Sequence, residues 1–240
     1  MYYIHPLYHY AILKNMDCVY VCRPGDNEEL RYSIRSLVAN MPYDNLWLVG
    51  YKPSWYVGNF ISVPNTTTKF ENIRLAIKAA AENNNISDDF ILMNDDFFVI
   101  KPANPNIILH GGLLIDKISR YRSMLGSGRY ITLLENTYKF LVNSGIKNPL
   151  DYDIHTPMVF NKNNLLQIIN RRHFPRSLYG NIFSIGGELS KDVKIYPKNS
   201  LLKNEIDHNL PYISTQDDSF EDLYNNLLKD KFSNKSIYEI

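Results

Sequence analysis

Apolar residues fall in short unbroken runs separated by polar, glycine- and proline-bearing stretches. The runs Asp17 to Cys22 (DCVYVC), Asn45 to Gly50 (NLWLVG) and Phe60 to Val63 read as strands, and their apolar continuity predicts burial on both faces. Between the first two, Glu28, Leu30, Ile34, Leu37 and Val38 recur at helical spacing. Asp26 or Asn27 can cap that helix, Glu28 and Glu29 suit the positive end of its dipole, and Met41-Pro42 ends it. A second helix is predicted from Phe70 to about Asn83. It follows the cap-rich Asn65-Thr66-Thr67-Thr68 and carries Ile73, Ala76, Ile77 and Ala80 on one face. This β-α-β-β order predicts an α/β fold with a mostly parallel, helix-covered sheet.

The next run, Phe90 to Met93, leads into Asn94-Asp95-Asp96, and a further apolar run, Phe97 to Ile100, follows. Two adjacent carboxylates where a buried strand emerges would stand at the sheet edge at which open α/β folds bind ligands. Beside so much hydrocarbon, unpaired carboxylates are costly, and a divalent cation offsets that cost. The alternative is a solvated hairpin turn. No glycine-rich phosphate loop, of either the dinucleotide or the P-loop type, is present.

From Pro102 the texture changes. Residues 1–101 read as a nucleotide-binding half and 102–240 as an acceptor-side half with a smaller C-terminal subdomain. The segment Lys117 to Arg129 (KISRYRSMLGSGR) suggests a basic loop or lid, and Ile131 to Val142 a helix. Asp151 to Phe160 (DYDIHTPMVF) alternates and then turns apolar, as a strand would. On such a strand Asp153 and His155 project to the same side, and a carboxylate beside an imidazole suits it to accept a proton. Asn164 to Asn170 and Arg176 to Ile185 read as short helices, Asp192 to Tyr196 as a late strand, and Ser219 to Lys231 as an amphipathic helix capped by Ser219. Asp217 and Asp218 form a second acidic pair, read as charges at that helix's N-terminus.

With 26 Lys plus Arg against 25 Asp plus Glu, the net charge of +1 argues against a chain coated in nucleic acid. It leaves room for local basic clusters: Lys117, Arg120, Arg122 and Arg129 form one, Arg171, Arg172 and Arg176 another. These could track a phosphate-bearing polymer on either side of His155. The 18 tyrosines suit recognition of sugars or bases. Cys18 and Cys22, too far apart along one strand to pair, read as buried free thiols and hence a reducing, cytoplasmic compartment. The N-terminal MYYIHPLYHYAILKN lacks the pattern of a signal peptide, and no stretch approaches a transmembrane helix.

Taken together, DCVYVCR, EELRYSIRSL, LWLVG and the NDD after an apolar strand resemble the Stealth family of sugar-phosphate transferases. DYDIHTPMVF resembles that family's histidine-proline segment. The same set, with RSLYGN (Arg176 to Asn181) and ISTQDDSF (Ile213 to Phe220), is similar to small phage glycosyltransferases. The chain departs from Stealth in lacking the long insert before the ELRYS-like helix. The resemblance implies a GT-A-like Rossmann-type fold and a nucleotide-sugar donor, a UDP-sugar foremost. It implies Mn²⁺ or Mg²⁺ held by Asp96, with Asp95 facing the donor ribose or sugar. Arg23 and Arg35 or Lys69 are candidates for the base and diphosphate, Arg35 having an ion pair as its alternative. His155, with Asp153, is the candidate base toward the acceptor. That acceptor is expected to be a polymeric hydroxyl, a glycan or modified DNA carrying hydroxymethylated bases. The alternatives are a Stealth-like sugar-phosphate transferase and a non-catalytic carbohydrate-binding protein. A metal-dependent nuclease lacks its further acid and lysine, and a nucleotidylyltransferase lacks its glycine-rich turn.

Overall fold

A computed structural model describes residues 16–66, 68–169, 173–202, 207 and 209–240. The N-terminal segment 1–15 and the expectations for Arg171 and Arg172 lie outside the described residues. In chain order the elements are β1 (Asp17–Cys22), α1 (Glu28–Asn40), β2 (Leu46–Gly50), β3 (Asn59–Ser62), α2 (Lys69–Glu82), β4 (Asp89–Asn94), β5 (Phe97–Val99), β6 (Leu109–His110), α3 (Leu114–Leu125) and α4 (Arg129–Asn143). There follow β7 (Met158–Asn161), α5 (Lys162–Ile168), α6 (Pro175–Ile182), β8 (Glu188–Leu189), β9 (Lys194–Ile195), β10 (Tyr212–Thr215) and α7 (Asp217–Leu223). A π-helical turn, Tyr224–Leu228, continues α7.

The central sheet runs β3-β2-β1-β4-β7. Its first four strands are parallel, and β7 lies antiparallel beside β4. Both faces are covered, which is why the strands read as unbroken apolar runs. On one face Val19, Phe90 and Leu92 pack with Ala76, Ile77 and Ala80 of α2 and with Leu114, Leu134, Leu165 and Leu178 from the later helices. On the other, Cys18, Tyr20, Cys22, Ile91 and Met93 meet Leu30, Ile34 and Leu37 of α1. Both cysteines are buried free thiols. A second sheet, β5-β10-β9, packs through Phe98 and Ile213 on Tyr32, Leu223 and Leu228. The chain therefore leaves one sheet at Asn94 and enters another at Phe97, with Asp95 and Asp96 at the crossing. This excludes the hairpin alternative.

The two helix starts differ. Thr68 caps α2 by accepting the Glu71 amide at 3.3 Å. Asn27 precedes α1 in a left-handed conformation and caps nothing; its side-chain amide donates to the carbonyls of Arg23 and Gly25 at 2.9 and 2.8 Å and so holds the loop after β1.

Three sequence expectations need correction. The basic lid 117–129 is instead α3, a tight Gly126–Gly128 link and the start of α4. Leu114, Ile118 and Tyr121 supply the i, i+4, i+7 stripe that buries α3, and the charged positions between them masked it. The strand over 151–160 shrinks to Met158–Asn161. Before it, side chains take the backbone amides that a ladder would use: Tyr152 N–H donates to Ser177 Oγ at 3.1 Å and Asp153 N–H to Asp151 Oδ1 at 3.0 Å. Finally, α7 starts at Asp217 after Gln216, and Ser219 sits inside it, accepting the Gln216 amide at 2.9 Å. No described helix is long and apolar enough to cross a membrane.

Candidate active site

Parallel strands β1 and β4 end side by side, Val21 opposite Asn94. The residues that follow them are Arg23 and Asp95, with Arg23 Nε 3.6 Å from Asp95 Oδ2 and Arg23 Nη2 3.6 Å from Glu29 Oε2. Asp95 is only 18% exposed. Burial, then the neighbouring charge of Asp96, push its carboxyl up to about 6, against the opposing charges of Arg23 and Lys69. Lys69, the first residue of α2, is thus near enough for its charge to be felt there. Asp96 accepts from Lys194 Nζ at 2.9 Å and from Ser214 Oγ at 3.3 Å, both on Oδ2.

The helix EELRYSIRSL and the NDD stretch are physically joined. Ser33 of α1 donates to the Phe97 carbonyl, and Ser36 Oγ accepts the Val99 amide at 2.9 Å. These buried hydroxyls fix the strand that leaves Asp96.

Arg35, on the same helix, points to the C-terminal tail. Its guanidinium grips Glu239 of the C-terminal tail through two bonds of 2.8 and 2.6 Å and reaches the Phe232 carbonyl at 3.1 Å. With Glu239 1% exposed, this is a buried structural clamp, the ion pair that was its alternative.

His155 approaches from the other half of the chain. Its ring meets Phe97 edge-on, centroids 6.3 Å apart, so His155 and the NDD stretch share a wall. It does not share a strand with Asp153. Residues 151–157 are irregular and His155 takes φ 59°, the left-handed region in which a bulky side chain is strained and which recurs at functional positions. Its carboxylate partner is Asp192, with Nδ1 2.8 Å from Oδ1. Asp153 instead accepts from Ser177, with burial and the charge of Asp151 raising its carboxyl.

Asp192 is 5% exposed. Burial would raise its carboxyl, but the charge and hydrogen bond of His155 outweigh that, joined by the Lys117 charge and the Lys194 amide, and hold it well below the usual carboxylate range. That amide donates to Asp192 Oδ1 at 3.0 Å. Asp192 and Lys194, two residues apart, thereby serve His155 and Asp96 respectively.

Arg176 completes the wall. Its guanidinium lies 5.2 Å from the centroid of Phe97 and donates to the Thr156 carbonyl at 2.8 Å and to Asn94 Oδ1 at 3.3 Å. Burial lowers its pKa to about 10, opposed by the charges of Asp153 and Asp96. Buried Lys117 bonds Asp151 Oδ1 at 3.1 Å and the Asp153 carbonyl. Of the basic residues expected to track a polymer, Lys117 and Arg176 are buried, and Arg122 pairs with Glu135 at 2.6 Å.

Sequence reasoning missed Asp192, Lys194, Ser177 and the roles of Lys117 and Arg176. The traces were the RSLYGN motif, which holds Arg176 and Ser177, and the Asp-Val-Lys at the start of the late strand, where nothing local names partners 37 and 98 positions away.

Beside Arg23 an open cavity of about 340 Å³ is lined by Gly25, Asp26, Asn27, Glu29 and Phe220 among others. Its size suits a nucleoside, and its carboxylates suit ribose hydroxyls. Among the described residues no group of three or more His, Cys, Asp or Glu could hold a metal ion. A cation here would rest on Asp95 and Asp96 and draw its other ligands from phosphates and water, the usual arrangement for Mg²⁺. The raised Asp95 carboxyl fits that use, since a cation would offset both causes of the rise, the burial of the charge and the repulsion from Asp96.

No protein-family model matches the chain, and no curated protein matches it. Among solved structures it is similar to the ligand-free WbbM bifunctional glycosyltransferase, at 13% identity and a TM-score of 0.47 over 80% of this chain. The chain spans about 41% of that protein's length. A superposition this loose assigns no role to any residue. The fold itself is α/β, with a mostly parallel central sheet between helices.

Proposed function

We propose that the protein is a glycosyltransferase that moves a sugar from a nucleotide-sugar donor, a UDP-sugar foremost, to a hydroxyl acceptor. The observation that carries this reading is the meeting of Asp95-Asp96 and His155 across Phe97, at the edge where parallel sheets bind ligands. The nucleoside would occupy the cavity beside Arg23, and the diphosphate would lie toward Asp95 and Asp96, with Arg23 and Lys69 nearest. Arg23 faces Glu29 and Asp95, Lys194 faces Asp96 and Lys117 faces Asp151, so the site's bases are largely balanced by its own acids. A doubly charged leaving group therefore calls for added positive charge, which Mn²⁺ or Mg²⁺ on Asp95 and Asp96 would supply by stabilising charge on the phosphate oxygens.

His155 takes the acceptor's hydroxyl proton. The acceptor oxygen bonds to the anomeric carbon, the bond from that carbon to the phosphate oxygen breaks, and its electron pair leaves with the nucleoside diphosphate. Burial of Lys117 and Arg176 takes two of the expected basic residues away from a polyanionic acceptor and leans the reading toward a glycan over DNA.

Ligand binding to the native state raises Tm, so a panel of nucleotide sugars with Mn²⁺ identifies the donor. At least one should stabilise the protein, more with Mn²⁺ than with chelator. No shift with any of them would reject the reading.

A further inference from the structure

We propose that Asp192 is the positioning residue that makes His155 a base, by fixing which of its ring nitrogens carries the proton. This rests on the transfer reaction proposed above. An imidazole can act as base only through a nitrogen free of its proton, and the hydrogen bond made by the other nitrogen decides which that is.

Here Asp192 Oδ1 lies 2.8 Å from Nδ1. The Lys194 amide and the nearby Lys117 charge favour the ionised carboxylate, which can only accept, so Nδ1 donates to it and, in the neutral ring, Nε2 is left with its lone pair. The carboxylate has little freedom to turn away. It is 5% exposed, and the Lys194 amide binds the same oxygen at 3.0 Å. The ring has little freedom either, being set on a left-handed residue and braced edge-on by Phe97, while Arg176 holds the next carbonyl.

The segment also links the two reacting groups. Lys194, whose amide fixes Asp192, carries the ammonium that meets Asp96 at 2.9 Å. Base orientation and the donor-side carboxylate are therefore set by one turn of three residues.

The test is Asp192→Asn, which keeps shape and removes the acceptor-only property. An asparagine amide can donate to Nδ1 and move the proton to Nε2, the wrong tautomer for a base. Nitrogen NMR of histidine-labelled protein reads the tautomer directly, with His155 assigned from the signal lost in His155→Gln. The wild type should show a protonated Nδ1 and an unprotonated Nε2, and Asp192→Asn a mixed or inverted pattern. In parallel, kcat for transfer should fall by about two to four orders of magnitude with donor KM changed less than about threefold. Asp192→Glu should recover part of the loss.

An unchanged tautomer in folded Asp192→Asn, or a loss seen in KM alone, would overturn the proposal. The tautomer is read without substrate. A wild-type protein that transfers no sugar would thus sink the transferase reading while this arm still reported on Asp192.

Discussion

The two edges of the site are built differently. The edge proposed for the donor, Arg23 with Asp95 and Asp96, sits on the ends of adjacent parallel strands whose backbone ladder fixes where each residue emerges. The base edge, His155 with Asp192, sits on irregular chain held by Ser177, Lys117, Arg176 and Asp151 through side-chain hydrogen bonds. Regular backbone makes the first edge rigid regardless of its polar residues. The second owes its shape to them, so single polar substitutions there should distort what similar changes at the donor edge leave standing.

The largest effect is expected at the donor edge. Asp96→Ala should abolish metal-dependent turnover in a folded protein, since it removes the anchor proposed for the cation and the partner of Lys194. Near-normal transfer by folded Asp96→Ala would break the comparison on its better-understood side. Next, His155→Ala should slow transfer by about two to four orders of magnitude, with nucleotide affinity nearly unchanged. Rapid single-turnover assays with saturating donor separate that from a binding defect.

Away from both edges, Arg35→Ala should cost up to about 3 kcal/mol of stability, because Glu239 would remain buried with only Ser236 bonded to it and Arg31 at 4.0 Å. Denaturant unfolding measures it. A cost near zero would mean that the tail is dispensable to the sheet.

The smallest effect concerns pH. The Asp95 carboxyl is raised to about 6 in the folded chain, against about 3.9 when unfolded. Above pH 6 the charged form bears its full burial penalty. As pH falls from 6 toward 4 the native state takes up the proton first, so this group adds stability on acidification. With chelator present, Asp95→Asn should raise Tm at pH 7.5, and the gap should close toward pH 4. A gap independent of pH would show that Asp95 is not destabilised by its charge.

The same difference between edges decided how much could be read from the sequence. Strand period and apolar runs located β1 to β4, both flanking helices and the exit of Asp95 and Asp96, because each is a local consequence of a repeating backbone. They failed at 151–157, where alternation imitated a strand while Ser177 and Asp151 took the amides. They failed again at Asp192, whose partner is set by tertiary folding. Arg35 read either as a contact for the base or diphosphate or as an ion pair, and its partner Glu239, at the far end of the chain, is not legible locally. Lys117 read as exposed because charge suggested a loop, although the stripe of Leu114, Ile118 and Tyr121 already described a helix with Lys117 on its buried side.

The central claim is that Asp96 and His155 belong to one site but serve different substrates. Calorimetric titration of the stabilising nucleotide sugar with Mn²⁺ into wild type, Asp96→Asn and His155→Ala tests it most directly. The account predicts clear binding to wild type and His155→Ala with similar affinity, and loss of binding in Asp96→Asn. Equal binding by all three proteins, or loss in His155→Ala with retention in Asp96→Asn, would contradict it.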